Sequence, residues 1–351
     1  MILTALSLQN FRSHIKAKWT FPAGITLIFG PNTAGKTNIL EGVVLLSTGK
    51  SFRAKRESEM LAWHREVATV KGELRGEGGT EAIEVRLTGG MVQGDQAPVK
   101  RYFVNGVARR QMDFIGNLKS VLFWPEDLEL IIDSPSIRRK YLDGVLLQID
   151  REYRRNLLSY ERGVRQRNRL LDLISDGKAT HSQLLFWNQL LIKSGSYITE
   201  ARQQYLTAIN TLSIAGLSYK VTYDKSIISE SRLAQYAMEE VAARSTLVGP
   251  HRDDFIVYEV RGNTDMDLSR FGSRGEQRLS VLWLKFAELA YIEATTCTRP
   301  MLLLDDVFSE LDPAHRKLVL GIVTKQQTII TSADPDIVRE LKKVPHEIIQ
   351  L

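Results

Sequence analysis

The sequence predicts an α/β protein. Its core combines a strand–loop–helix phosphate site with an antiparallel β subdomain, and a mostly helical lobe containing an antiparallel helix hairpin interrupts it. Three observations carry that reading. Short apolar runs separated by glycine-rich turns fill the chain to about residue 125. Charged residues at helical spacing, with few strand signals, fill about 126–245. Strand and helix patterns return from about 246 onward, so 1–125 and 246–351 form one expected lobe and 126–245 the other.

In the first segment, "ITLIFG", "EVATVKGEL", "EAIEVRL" and "RYFVNGV" read as strands and hairpins around one helix. Residues 87–98, "LTGGMVQGDQAP", are turn chemistry and read as a mobile hairpin tip. In the middle segment, residues 135–174 keep a helical pattern that Gly144 and Gly163 interrupt only weakly. At ~1.5 Å per residue one continuous helix there would extend roughly 50–60 Å. "SDGKATHS" breaks the pattern, and a second amphipathic run over 183–212 carries Leu184, Leu185, Trp187, Leu190 and Leu191. The last segment holds the strands "MLLLDD", "QTIITSA" and "HEIIQL".

Composition sets limits. Among 351 residues, 47 Lys+Arg face 41 Asp+Glu, a net charge of +6, which permits an acidic partner without demanding one. The excess is local: residues 137–178 hold eleven basic and six acidic side chains, 11 − 6 = +5. Cys297 is the single cysteine, so neither an intrachain disulfide nor a cysteine metal cluster can form. The first residues lack a charged leader with an apolar core, and no apolar run reaches the roughly 18 residues that span a bilayer. The expectation is a cytoplasmic protein with no membrane partner.

The first chemical motif is Gly30-Pro31-Asn32-Thr33-Ala34-Gly35-Lys36-Thr37, between an apolar strand and a helix. In that context the pattern binds a nucleoside triphosphate with Mg²⁺. Loop N–H groups and the helix N-terminus surround phosphate, Lys36 supplies a point charge, and the Thr37 hydroxyl is a metal ligand. A second motif, "LLLDD", ends an apolar run in paired carboxylates: Asp305 is the expected Mg²⁺ partner, and Asp306 orients or deprotonates an attacking water. "SELD", residues 309–312, suggests a crossing point between subunits, and Asp334 is a candidate γ-phosphate sensor.

One phosphate loop suffices for one nucleotide, yet "FGSRGEQRL" opens another apolar helix with Ser273 at its start and Gly275 allowing close backbone approach. Such an end attracts anions. Its expected client is the γ-phosphate held by a second copy of the chain. This order of phosphate loop, Ser-x-Gly-Glu and acidic strand marks an ABC-type ATPase. Arg12 is placed to reach back to nucleotide phosphates, with an ion-paired surface residue as the alternative.

At this point the chain resembles the RecF family, bacterial recombination-repair ATPases related to the SMC-type proteins. Carrying the resemblance are "LQNFRS", "TGKSFR", "FWPEDLELI", "SPSIRRKYLD", "GPHRDDF" and "LLLDDVFSELD", in order along nearly the whole length. Thr33 stands where the family's loop usually has glycine, Asp133 where "GSP" is usual, and Glu276 where the signature usually has glutamine. The resemblance implies an ATP-dependent homodimer that clamps double-stranded DNA and acts at single-/double-strand junctions. It also implies help from RecR, with RecO, in loading recombinase, and slow ATP hydrolysis that resets the clamp. Two nucleotides would each lie between one subunit's Lys36 loop and the other's Ser273 element.

Independently of the resemblance, a basic helical insertion suits sequence-independent phosphate contacts, since no base-reading motif is evident. Lys50 and Arg53 are weaker candidates for DNA. His251 reads as either functional or organising the junction between lobes. A metabolic kinase would explain Lys36 and Thr37 but leaves Ser273 and Gly275 without a role. A purely structural DNA-binding protein leaves Asp305 and Asp306 unexplained, and a long SMC arm needs hundreds more residues.

Overall fold

A computed structural model describes residues 1–351 apart from 213, 215, 216, 263 and 342–344; for 309, 310, 313, 314 and 340 it describes the backbone alone. The contacts divide the chain into two units, Met1–Asp127 with Glu288–Leu351, and Leu128–Ala287.

The first unit contains two sheets. One is five-stranded and parallel, in the order Ser120–Phe123, Met301–Asp305, Thr328–Ser332, Ile25–Phe29, His346–Gln350. Its three central strands are buried almost throughout, as parallel strands covered on both faces must be. The other is six-stranded and antiparallel, in the order His14–Thr20, Ile2–Phe11, Val67–Gly76, Gly79–Thr88, Lys100–Val104, Val107–Arg109. Here burial alternates, for example along Val67–Gly76, because one face meets the core and the other meets water. The helix Lys36–Thr48 packs against both sheets. Every residue from Ile39 to Ser47 is accordingly buried, which explains a helix apolar nearly all round. Beyond Thr88 the expected hairpin tip is a small ribbon, Met91–Val92 paired with Asp95–Gln96.

In the second unit the helix expected over 135–174 is two helices, Pro135–Ile149 and Arg151–Ser175. Asp150 causes the break. Its backbone is extended, and its carboxylate accepts the N–H groups of Glu152 and Tyr153, restarting the helix with an N-cap. The second helix therefore spans ~38 Å. It pairs with Leu185–Asn210 as the expected hairpin.

This unit also contains a three-stranded antiparallel sheet, Tyr219–Asp224, Asp254–Arg261 and Thr264–Asp267, which the helical reading of 126–245 did not anticipate. The sheet explains why the unit extends past 245 to Ala287. Tyr219–Asp224 pairs residue for residue with Asp254–Arg261, and Arg138 grips Asp254 with two bonds of 2.6 and 3.0 Å. Arg202, on the second hairpin helix, donates to Asp143 (2.8 Å), to Asp253 (2.9 Å) and to the Pro250 carbonyl (2.7 Å). A buried guanidinium needs such partners, and here they tie "GPHRDDF" to the hairpin. The unit boundary falls inside the helix Arg274–Thr296.

Candidate functional site

The strand Ile25–Phe29 delivers the chain to Gly30, and the helix beginning at Lys36 takes it away. Gly35 turns the corner with φ +92°. A Cβ there would lie 2.8 Å from both His14 Nε2 and Ser13 Oγ, so the left-handed backbone favours glycine and any side chain would also have to push those two aside. No side chain caps this helix, which leaves its first N–H groups available to an anion. Lys36 is buried, and its ammonium donates to the carbonyls of Gly30 (2.8 Å) and Pro31 (2.9 Å), directly beneath the loop. Thr33 has φ +74°, uncommon for a β-branched residue, and its hydroxyl donates to the Asn32 carbonyl.

Parallel pairing brings the acidic strand to the same end of the sheet. Thr37 Oγ1 donates to Asp305 Oδ1 at 3.0 Å, and Thr331, on the intervening strand, donates to the same oxygen at 2.5 Å. The two expected metal ligands are thus juxtaposed. Mg²⁺ takes one or two protein oxygens and completes its octahedron with phosphate and water, so a hydroxyl beside one carboxylate fits it. Among the described residues there is no group of three acidic, His or Cys side chains, which the Mg²⁺ pattern does not need. Asp306 follows with a left-handed backbone, φ +52°, which aspartate tolerates. Its N–H bonds back to Thr331, so the chain leaves the strand directly after Asp305.

Behind the loop helix lies a feature that sequence reasoning missed. Glu41 is fully buried and accepts from Arg12 Nε (2.8 Å) and Nη2 (2.6 Å), Arg53 Nε (3.0 Å) and Nη2 (2.7 Å), and Ser51 Oγ (2.6 Å). Burial raises its affinity for a proton, and the bonds from Arg12, Arg53 and Ser51 more than offset this, holding the carboxyl below its ordinary value. Arg12 is thus ion-paired, the alternative that the sequence left open. Its third nitrogen donates to the Glu59 carbonyl (2.6 Å), and the guanidinium serves as a clamp on Glu41. Arg53 bonds Asn38 as well, and Asn38 donates to Ser13 (2.7 Å). A network of charge thus braces the first turn of the helix.

The Ser273 element belongs to the second unit. Ser273 Oγ accepts the Glu276 N–H (3.3 Å), and Glu276 Oε2 accepts the Ser273 N–H (2.7 Å). This reciprocal pair is a capping box, legible in the sequence as Ser-x-x-Glu. Arg261, at the end of its strand, binds the other carboxylate oxygen of Glu276 and also Glu259. The Ser273 N–H first, then the Ser273 side chain and Arg261, hold the Glu276 carboxyl below its ordinary value. Gly275 is exposed, with no atom nearer to a built Cβ than Ser273 Oγ at 4.0 Å.

The remaining candidates sort by burial. Within the basic run, Arg154 and Arg167 are interior: Arg167 donates to Glu240 (2.6 Å), Asn188 (2.7 Å) and Thr246 (2.9 Å). Arg155, Arg162, Arg165 and Arg169 are exposed and lie along one face of the helix Arg151–Ser175. His251 sits within the second unit. Its Nε2 faces the Thr246 carbonyl (3.0 Å) and its Nδ1 the Tyr160 hydroxyl (2.8 Å), and burial pushes its pKa down to about 4. The neutral ring donates from Nε2 and accepts from Tyr160. Asp334 accepts the Asp336 N–H (2.9 Å) at the start of a short helix. Side chains of 309 and 310, in the "SELD" loop, lie outside the described residues.

A phosphate loop on a parallel sheet, with a hydroxyl–carboxylate pair beside it, defines a P-loop ATPase, and the separate Ser-x-Gly-Glu helix narrows the class to the ABC type. The chain matches the RecF/RecN/SMC N-terminal domain family over residues 2–349. It is similar to the DNA replication and repair protein RecF of Herpetosiphon aurantiacus, 36% identical across 96% of this chain and 94% of that one. The RecF of Moorella thermoacetica is 35% identical across 95% and 90%. Among solved structures, the recombination mediator protein RecF-ATPrS of the RecFOR pathway matches with a TM-score of 0.86 at 31% identity, covering 100% of this chain and 96% of that one. The chain belongs to the RecF family.

No helix among the described residues is long and apolar enough to cross a membrane.

Proposed function

We propose that the protein is an ATP-driven DNA clamp of recombinational repair. On this reading two copies close around two nucleotides, and slow hydrolysis reopens them. The observation that carries it is the Thr37–Asp305 contact beside the buried Lys36, a prepared place for ATP and Mg²⁺. Gly30 to Thr37 hold the phosphates, Thr37 and Asp305 hold the metal, and Asp306 orients the attacking water. Bound Mg²⁺ supplies neutralisation of the phosphate charge. Ser273 and Gly275 of the second copy meet the γ-phosphate, which supports a dimer formed only with ATP.

The exposed arginines from 155 to 169 span ~21 Å of helix and suit the phosphate backbone of double-stranded DNA at single-/double-strand junctions. Partnership with RecR and RecO follows from the RecFOR pathway of the solved relative.

The test is the molar mass of Asp306→Asn by light scattering on a sizing column, with and without ATP-Mg²⁺. The expected result is one chain without ATP and two with it, and hydrolysis reduced about a hundredfold or more. A single chain under both conditions, with ATP binding verified, removes the dimer. Normal turnover removes Asp306 from catalysis.

A further inference from the structure

The reading above asks the N-terminus of the helix Arg274–Thr296 to receive the γ-phosphate of a second copy. In the isolated chain that end already carries an anion of its own. Glu276 Oε2 lies 2.7 Å from the Ser273 N–H, and the Ser273 hydroxyl accepts the Glu276 N–H in return. One residue, Glu276, engages both Ser273 groups that a phosphate would approach: its carboxylate takes the Ser273 N–H, and its backbone N–H donates to the Ser273 hydroxyl oxygen. That carboxylate is not left to water: Arg261 binds its second oxygen. Arg261 is itself divided, since Glu259 accepts from it at 2.7 Å. Around the signature end, therefore, two carboxylates share one guanidinium.

We infer that Glu276 is a built-in competitor for the phosphate-binding end of its own signature helix, and that Arg261 is the positioning residue that sets how strongly it competes. This rests on the composite-site reading and concerns its regulation. A phosphate entering beside Ser273 meets a fixed negative charge and must displace the carboxylate from the Ser273 N–H. Arg261 lessens the repulsion by neutralising Glu276 and provides somewhere for the displaced carboxylate to go. Glutamine at 276 would keep an oxygen that accepts the Ser273 N–H, so the helix stays capped while the charge disappears. Glutamate here thus weakens ATP-driven closure and favours a clamp that reopens. A dimer has two such ends, so each closure event meets the charge twice.

The experiment is the dimer dissociation constant at saturating ATP-Mg²⁺, measured by light scattering across protein concentration. It is run in the Asp306→Asn background so that hydrolysis does not intervene. Glu276→Gln should tighten the dimer about tenfold, the product of two sites each contributing about threefold. Arg261→Gln should loosen it by a similar factor. The double variant should match Glu276→Gln, because Arg261 acts through Glu276. A purely structural role would instead move the thermal midpoint of each variant and leave no such dependence of one on the other.

Ser273→Arg, with ATP binding verified, separates the failures. If it dimerises like the parent, the composite-site reading falls. If it stays monomeric while Glu276→Gln matches or loosens the parent dimer, the competitor role alone is overturned. An Arg261→Gln effect that persists undiminished in the double variant also overturns it.

Discussion

The phosphate loop and the signature element are both helix N-termini reached through a glycine-bearing turn, and they handle charge in opposite ways. At the loop, charge lies behind the site: Lys36 is buried on carbonyls, and Glu41 is buried between Arg12 and Arg53. The helix end itself carries no cap. At the signature, charge lies on the site, where a half-exposed carboxylate caps the helix and an exposed arginine holds it. Buried networks are costly to rearrange, whereas exposed pairs exchange partners at little cost. One end is thus fixed in advance for nucleotide, and the other is adjustable.

Substitutions should break or sharpen this contrast. The largest effect is expected at Lys36→Ala, which removes the loop's only buried cation and should lower ATP affinity about a hundredfold or more by calorimetric titration. Near-normal ATP affinity would mean that the loop is not prepared as described. Next is Glu41→Gln, which leaves a half-buried Arg12 and an exposed Arg53 facing a neutral group. The buried carboxylate loses its charge while both guanidiniums keep some access to water, so a drop in thermal midpoint is expected with ATP affinity changing much less. An unmoved midpoint would show that the network is as adjustable as the signature's. The smallest is Thr33→Gly, which relieves a left-handed threonine. Its midpoint should move by about 2 °C or less, and nucleotide dissociation in stopped-flow should quicken about two- to threefold.

Much of this was legible in the sequence. The strand, loop and helix around Gly30 to Thr37, and the placing of Asp305 and Asp306 at the end of an apolar strand, were readable because local patterns report that order. The bracing of Glu41 was not, since a glutamate inside an apolar helix shows nothing of the arginines folded onto it. For Arg12 both nearness to the loop and an ion pair were readable, but the carboxylate it pairs with was not. Asp150 escaped because a helical pattern on both sides concealed the cap between them. Half-hidden strands such as Tyr219–Asp224 depend on a partner more than thirty residues away, and helical periodicity nearby masked them.

The sheet order has a consequence for the protein's synthesis. Among the described residues, the strand that leads into the phosphate loop, Ile25–Phe29, pairs only with Thr328–Ser332 and His346–Gln350. Its neighbours emerge from the ribosome some 328 − 29 = 299 residues later. At roughly 5–20 residues per second, the strand waits about 15–60 s with both hydrogen-bonding edges open. A nascent chain in that interval cannot assemble its nucleotide site and presents an apolar strand to whatever is near. Competence for ATP therefore waits for the strands from Thr328 onward, and until they emerge the open strand is what chaperone cover during translation would protect.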